Sequence, residues 1–433
     1  MNMPTERPGP WPSRASFDER GLSIDARSAV ALAEEHGTPL VVIDEEHLRE
    51  RCRAFAGAFP RVLWAVKALP LRAVIRTVLD EGLDLLAATG GEVDASLRAG
   101  AHPERITLHG NNKGEREIDE AVRAGVGTVV LDNAEEVDPV GSAAGAAGRS
   151  QRVLLRVAPG IDVDTHAYVK TAAPDTKFGT PVAAGLALRA LAAAVEHPSL
   201  DVAGIHMHLG SQLLDPAPYR TGVEAALDFL QAAREELGFE ARTLDIGGGM
   251  GTRYRDEHPV EPGALATSVL AALEEGCRAR GLAVPGLVVE PGRAITSGAA
   301  VTLYTVGSIK EIPDLRTYVA VDGGMSDNIR PALYGSRYTM TLASRRSAAP
   351  PHPVTVVGRH CESGDELGRD VPLPSDLRRG DLLAVASTGA YEYAMASTYN
   401  KVGRPAVVMV GNGGARLVAR REDYDDLARL DVE

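Results

Sequence analysis

Lysine is scarce in this sequence, and one lysine stands where amine chemistry would be expected. Six lysines are found among 46 Lys and Arg residues. Lys67 follows the apolar segment 62–66 and precedes Ala68, at the end of a predicted buried strand. Burial of an amine is costly unless the amine has a partner or a function. Burial also lowers the pKa and leaves the amine free to form a Schiff base, whereas the structural alternative is a salt bridge to a buried carboxylate.

Three consecutive glycines could approach an anion closely. Gly247, Gly248 and Gly249 follow a short apolar segment, and their backbone N–H groups could form a phosphate nest. A nearby arginine, Arg293, favours that interpretation. The run is not a dinucleotide fingerprint, because the last glycine of that motif would fall at Thr252. A tight turn without a ligand remains the alternative.

Two histidines, His206 and His208, are two residues apart on a predicted strand and should face the same side. Such a pair could bind a metal ion, but the sequence shows no third ligand or carboxylate partner at ligand spacing. We therefore expect no metal and a core or ring-stacking role for one of the two. The three cysteines are too few and too scattered for a disulfide framework or a zinc site.

The elements that must position these residues alternate between strands and helices. Between about residues 60 and 290, short apolar segments rich in β-formers alternate with Ala- and Leu-rich segments of helical length. This pattern predicts βαβ units and a parallel sheet, and eight repeats indicate a closed (β/α)8 TIM-type barrel. The candidate residues follow the predicted strands, at the rim where barrel enzymes carry their active sites. The predicted strands are residues 62–66, 83–88, 106–110, 128–133, 152–157, 202–210, 243–249 and 287–291.

The sequence changes character after Arg293, where predicted strands follow one another without long helices. We predict an α/β barrel over residues 38–293 and a mostly β C-terminal domain over residues 294–433, joined by the N-terminal segment 1–37. The predicted strands of the second domain are residues 301–312, 317–322, 353–358, 381–387 and 406–410.

Composition excludes several classes of protein. The 433 residues are 44% hydrophobic and 24% charged, as in ordinary globular proteins. A formal net charge of −13 without a basic run argues against nucleic-acid binding. The sequence contains no stretch of about 18 uncharged apolar residues, so it predicts no membrane span. The N-terminus has no apolar signal core, so we expect a cytoplasmic protein.

The motifs together resemble those of diaminopimelate decarboxylase, from about residue 38 to residue 411. This family belongs to the pyridoxal-phosphate group that also holds ornithine decarboxylase and alanine racemase, and its fold is a (β/α)8 barrel followed by a β domain. The matching motifs are Val66-Lys67-Ala68, Thr89-Gly90-Gly91-Glu92, His109-Gly110-Asn111-Asn112-Lys113, His206-x-His208-Leu209-Gly210-Ser211-Gln212, Gly247-Gly248-Gly249, Glu290-Pro291-Gly292-Arg293, Asp322-Gly323-Gly324-Met325, Arg330-Pro331-Ala332-Leu333-Tyr334, His360-Cys361-Glu362-Ser363 and Gly389-Ala390-Tyr391.

The resemblance implies a role for each matching residue toward pyridoxal 5'-phosphate. Lys67 would hold it as a Schiff base, His208 would stack on its ring, and Glu290 would pair with its ring nitrogen. A carboxylate at that nitrogen keeps it protonated and favours decarboxylation over racemisation. The residues expected at the phosphate are Ser211, Gly248, Gly249, Gly292, Arg293 and Tyr391.

The resemblance also implies a substrate site and a dimer. Cys361 would return a proton to the substrate's Cα from the second subunit, which requires a homodimer with shared active sites. A buried, inert thiol is the alternative for Cys361. Charge and hydrogen bonds for both ends of a small amino-acid substrate would come from Arg293, Arg330, Tyr334, Glu362 and Tyr391.

The implied activity is decarboxylation of meso-2,6-diaminopimelate to L-lysine. One alternative is a decarboxylase of the same fold that acts on another amino acid, D-configured or carrier-bound. A further alternative is a non-catalytic pyridoxal-phosphate-binding homologue. Departures from the family include Leu86, which stands where most relatives carry Asp, with Asp84 as a possible shifted replacement, and Leu69, which stands where Asn is common.

Overall fold

The computed structural model describes residues 9–160 and 177–432, which form two compact units. The barrel unit comprises Arg51–Gly251 and His258–Ala294. The β unit comprises Met1–Glu50, Thr252–Glu257 and Ile295–Glu433. Within the described residues, no helix combines the length and the apolar character needed to cross a membrane.

The strands in chain order are β1 (Ala15–Asp18), β2 (Gly21–Ile24), β3 (Arg27–Ser28), β4 (Leu40–Asp44), β5 (Arg61–Ala65), β6 (Asp84–Ala87), β7 (Ile106–Leu108), β8 (Thr128–Leu131), β9 (Gln151–Ala158), β10 (Thr180–Pro181), β11 (Leu200–His206), β12 (Thr243–Asp245), β13 (Gly286–Val289), β14 (Ala300–Ile312), β15 (Arg316–Val321), β16 (Met340–Leu342), β17 (Pro351–Val357), β18 (Glu366–Pro374), β19 (Leu382–Ala386), β20 (Ala406–Gly411) and β21 (Gly414–Ala419).

The helices are α1 (Ala29–His36), α2 (Glu45–Ala56), α3 (Arg72–Asp80), α4 (Gly90–Arg98), α5 (Glu115–Ala124), α6 (Val137–Ala146), α7 (Leu186–Glu196), α8 (Ala217–Leu237), α9 (Pro262–Arg280), α10 (Arg293–Thr296), α11 (Arg330–Tyr334) and α12 (Tyr424–Ala428).

The barrel unit contains a closed parallel barrel, which confirms the predicted fold class. Its strands follow the order β9-β11-β12-β13-β5-β6-β7-β8, and pairing of β8 with β9 closes the ring. These are the eight strands predicted from the alternating pattern. Because all of them run parallel, their carboxyl ends meet at one rim, where the candidate residues follow them.

The β unit is built on a mixed sheet in the order β18-β17-β15-β14-β4-β20-β21. Strand β4 lies inside this sheet, antiparallel to β14 and parallel to β20, and all five of its residues are buried. The predicted barrel start at residue 38 is corrected accordingly: β4 belongs to the β unit. Its core joins β4 to neighbouring strands through Leu40, Val42, Val301, Leu303 and Val408.

Candidate active site

Lys67 lies on a short 3-10 helix, Val66–Ala68, directly after β5. Val66 and Ala68 are buried, but the Lys67 side chain is exposed. The prediction that this amine is buried is therefore wrong. No ion pair of Lys67 is found among the described residues. Burial lowers the pKa of His208 and raises that of Glu92, and the positive charge of Lys67 acts on both groups, so the amine lies close to these two rim residues. Lys67 is therefore an accessible amine at the barrel rim.

Lys113, another rim lysine, is buried and fully engaged. Its Nζ donates to Gly110 O at 2.8 Å, to Val130 O at 2.8 Å and to Glu136 Oε2 at 2.5 Å. The Glu136 carboxylate also accepts from the backbone N–H of Asp132 at 2.8 Å. Lys113 is thus a structural cation that ties the loop after β7 to β8.

His208 lies beyond the end of β11 and accepts a hydrogen bond at Nδ1 from the backbone N–H of Gly248, at 3.1 Å. Burial lowers the pKa of His208 well below its usual value, and the positive charges of Lys67 and Arg156 lower it further. The ring is therefore neutral near pH 7. A neutral, flat ring is suited to stacking, as predicted for this residue.

The triple glycine brings three strand ends into close approach. A Cβ on Gly248 would lie 2.3 Å from the Glu290 carbonyl oxygen, and one on Gly249 would lie 2.2 Å from the Gly210 carbonyl oxygen. Gly249 also has φ of +93°, which side chains rarely permit. The run is thus required by backbone packing between β11, β12 and β13, whether or not a phosphate binds there.

Arg293 begins α10 next to Gly292 and is buried. Its guanidinium donates to Ser211 Oγ at 3.1 Å. The structure therefore brings together two of the residues predicted to hold a phosphate, one from the loop after β11 and one from the loop after β13. A buried guanidinium beside a hydroxyl is a suitable anion-binding pair.

Glu290 directly follows β13 and is buried beside two histidines. His206 Nε2 lies 3.3 Å from Glu290 Oε2 in a hydrogen bond. His109 Nε2 lies 2.9 Å from Glu290 Oε1, but its N–H does not point at that oxygen, and neither atom has a directed hydrogen bond. The two rings meet edge to face at 4.7 Å.

This arrangement corrects the expectation that His206 has no carboxylate partner or further ligand-type neighbour. Ligand-type atoms of His109, His206 and Glu290 all lie within 4.8 Å of one another. Sequence reasoning assigned no role to His109. Its position near the carboxyl end of the third predicted strand, residues 106–110, was the sequence signal that it lies close to the rim.

A second carboxylate, Asp245, lies on the neighbouring strand β12. Burial raises its pKa well above the usual value, and the negative charge of Glu290 raises it further. Burial also raises the pKa of Glu290, but His109 and His206 outweigh it and hold that pKa well below the usual value. The pKa values of the two buried carboxyl groups are therefore shifted apart, with the proton favoured on Asp245 and the negative charge on Glu290.

The departures at Leu86 and Asp84 have a structural explanation. Leu86 is buried in a cluster with Leu63, Ala65 and Val288. Asp84 begins β6, where it accepts from Arg61 and Arg105 at 3.0 and 2.9 Å. The rim lies at the other end of the strand, so Asp84 is not a shifted replacement for the missing rim carboxylate.

Three of the predicted substrate residues meet in the β unit. The guanidinium of buried Arg330 lies 5.3 Å from the ring centre of Tyr334 and 5.9 Å from that of Tyr391. Its Nε donates to the hydroxyl of Tyr338 at 2.9 Å. Tyr391 adopts φ of +63°, an unusual backbone conformation for a side-chain-bearing residue. The result is a fixed cation between aromatic rings.

Cys361 and Glu362 follow β17 in the β unit, and both are exposed. The interpretation of Cys361 as a buried, inert thiol is therefore wrong. The neighbouring His360 is buried and hydrogen-bonded to Ser326 Oγ at 2.8 Å. The hydroxyl of Tyr399 donates to Glu362 at 3.4 Å.

Comparison with known proteins identifies the family of this chain. The family model described as pyridoxal-dependent decarboxylase, pyridoxal binding domain, matches residues 45–297. Diaminopimelate decarboxylase of Mycobacterium tuberculosis is 46% identical, with 98% of each chain covered. The chain belongs to the diaminopimelate decarboxylase family.

Other members of the family show the same extent of similarity. The Bacillus subtilis diaminopimelate decarboxylase is 41% identical over 95% of each chain. The crystal structure of M. jannaschii diaminopimelate decarboxylase in complex with L-lysine is similar with a TM-score of 0.92 and 30% identity, covering 98% of each chain. The diaminopimelate decarboxylase family thus accounts for both units of this chain.

Proposed function

We propose that this protein decarboxylates meso-2,6-diaminopimelate to L-lysine and carbon dioxide, using pyridoxal 5'-phosphate. The observation that carries the proposal is the similarity of this chain to a diaminopimelate decarboxylase, which is 46% identical over 98% of the chain. In this chain an accessible Lys67 and a buried, ionised Glu290 belong to the same barrel unit. An amine and a carboxylate in these positions are the two groups that the cofactor requires from the protein.

The residues present fit the cofactor. Glu290 Oε1 is a buried acceptor without a directed hydrogen bond, as expected for an oxygen that accepts from a protonated ring nitrogen. Arg293 and Ser211 form a polar pair suited to a phosphate. Lys67 offers an exposed amine for covalent attachment. The Gly248 N–H donates to His208, so any contact of Gly248, Gly249 or Gly292 with the phosphate stays a prediction.

When bound, the cofactor supplies an electron sink for the pair released as the Cα–carboxylate bond breaks. Glu290 would hold a proton at the ring nitrogen, because an ionised carboxylate stabilises a positive charge beside it. Neutral His208 would pack against the ring without adding charge. Lys67 would hold the cofactor through its amine.

The substrate residues follow the same logic. Arg330, stacked on Tyr334 and Tyr391, would bind a carboxylate of the substrate. Glu362 and Arg293 would complement its remaining charges. Exposed Cys361 would deliver a proton to Cα, from the partner subunit of a homodimer. The homodimer with shared sites and the location in the cytoplasm stay predictions from the sequence.

A substrate screen separates this proposal from its alternatives. Carbon dioxide release is measured with meso-diaminopimelate, ornithine, lysine and arginine, the last three in both configurations. We expect release from meso-diaminopimelate alone. Release from another amino acid would favour a decarboxylase of different specificity, and cofactor absorbance without release from any substrate would favour a non-catalytic homologue.

A further inference from the structure

We propose that His109 and His206 are positioning residues that fix the orientation and the charge of Glu290. The inference deepens the proposed function and rests on it for its catalytic consequence. It concerns the barrel unit alone: the two histidines follow β7 and end β11, and the glutamate follows β13. None of the roles assigned above to substrate or cofactor includes either histidine.

The geometry gives the two histidines different tasks. His206 anchors Oε2 of Glu290 through its Nε2 hydrogen bond at 3.3 Å. His109 approaches Oε1 to 2.9 Å without aiming its N–H at that oxygen. One carboxylate oxygen is therefore fixed by a hydrogen bond, while the other keeps an acceptor direction open for a ring nitrogen.

Burial explains why such partners are needed. Glu290 is 8% exposed, and a buried carboxylate without hydrogen-bond partners takes up a proton and becomes neutral. A neutral carboxyl group would no longer keep a ring nitrogen protonated. The contacts with His109 and His206 favour the ionised form, and the low pKa of Glu290 agrees with this.

Other charged and titratable groups near Glu290 also affect whether its carboxyl group is ionised. Burial and the negative charge of Glu290 raise the pKa of Asp245, whose Oδ1 accepts from the backbone N–H of Gly247 at 2.9 Å. Arg156 is a nearby cation whose charge interacts with Glu290. Two neighbouring carboxyl groups disfavour a second negative charge, and these opposite pKa shifts favour the proton on Asp245 and the charge on Glu290.

The test compares His206→Leu, which removes the donor, with His206→Gln, which keeps an N–H group of similar reach. His102→Gln is the matched control, since that side chain is 69% exposed. Difference infrared spectra of each cofactor-free protein against its Glu290→Gln counterpart report the protonation of Glu290 near pH 7. The affinity for pyridoxal phosphate and kcat for meso-diaminopimelate are measured on the same proteins.

We expect an ionised Glu290 in the wild type, His206→Gln and His102→Gln, and a protonated Glu290 in His206→Leu. The kcat of His206→Leu should fall about 10- to 100-fold, as when a hydrogen bond to a charged group is lost, with rescue by His206→Gln. An ionised Glu290 and unchanged kcat in His206→Leu would overturn the inference.

Two further outcomes are also decisive. If His206→Leu does not fold, His109→Leu is measured in the same way, and an unchanged Glu290 signal and kcat there overturn the inference. If the wild type decarboxylates no substrate, the proposed function fails. The infrared comparison on cofactor-free protein then still decides whether the histidines set the charge of Glu290.

Discussion

Two lysine-to-alanine substitutions at the same barrel rim should have opposite effects. Lys113→Ala should destabilise the barrel unit severely and leave the cofactor attachment site intact. Lys67→Ala should leave stability nearly unchanged and abolish attachment. The contrast follows from burial, because the Lys113 side chain is 2% exposed and Lys67 is exposed. The two variants remove the same atoms and are matched controls for each other.

The loss of stability expected for Lys113→Ala follows from the contacts of the Lys113 side chain. Its ammonium group makes three hydrogen bonds, and its removal leaves the buried Glu136 carboxylate without a cation. Breaking a buried ion pair in this way costs about 3–5 kcal/mol. An exposed lysine outside such a network changes stability by less than about 0.5 kcal/mol. The expected difference between the variants is therefore several kcal/mol.

Tryptophan fluorescence gives a direct assay for the barrel unit. Trp64 lies in β5 and is fully buried, so its emission reports unfolding of the barrel. In a Trp11→Phe background it is the only tryptophan. Urea unfolding of cofactor-free protein should show a much lower midpoint for Lys113→Ala than for Lys67→Ala. A double variant that combines Lys113→Met with Glu136→Gln should lose less unfolding free energy than the two single variants lose together, by about 0.5–3 kcal/mol.

The site of cofactor attachment is determined in a separate experiment. Borohydride reduction followed by peptide mapping should place the pyridoxyl group on Lys67 in the wild type and in any folded Lys113 variant. Wild-type stability of Lys113→Ala would refute the assigned ion pair. A pyridoxyl group on Lys113 or Lys177 would refute the attachment site.

Three other predictions concern chemistry and pH. Glu290→Ala should bind cofactor but lose about 100- to 1,000-fold in kcat, and near-normal turnover would show that a protonated ring nitrogen is not required. Cys361→Ala and Lys67→Ala should each be nearly inactive, and their mixture should regain about a quarter of wild-type activity after subunit exchange; exchange without recovery would exclude shared sites. The pKa of His206 is lowered to about 4 by burial, against an ordinary value of 6.5. Protonation of His206 should therefore lower folding stability as pH drops from 6.5 to 4, by up to about 1.4 kcal/mol per pH unit. Urea titrations of His206→Gln should show a smaller loss than the wild type, because His109 and His208, whose pKa values burial also lowers, still contribute.

The barrel could be predicted from sequence because its strands are short apolar segments separated by helices. The predicted domain boundary at residue 38 put β4 with the barrel, since an apolar segment of five residues does not reveal which sheet it joins. Strands β18 and β21 were missed because neither has a continuous apolar run: β18 has three separated buried residues among nine, and β21 has none among six. The pattern of burial, rather than composition, defines these elements.

Individual site residues were predictable, but their contacts were not. The exposure of Lys67 was missed because both of its sequence neighbours are buried. The contacts of Glu290 with two histidines join residues from the third, sixth and eighth barrel strands, which only closure of the barrel brings together. Asp84 was misjudged because strand alternation gives the face of a residue and not its depth along the barrel.

The most direct test of the central claim is stoichiometric decarboxylation of carboxyl-labelled meso-diaminopimelate, followed by NMR. The wild-type protein with pyridoxal phosphate should release one labelled carbon dioxide for each L-lysine formed, and Lys67→Ala should release none. Folded, cofactor-loaded wild-type protein that forms no L-lysine from this substrate would contradict the proposed function.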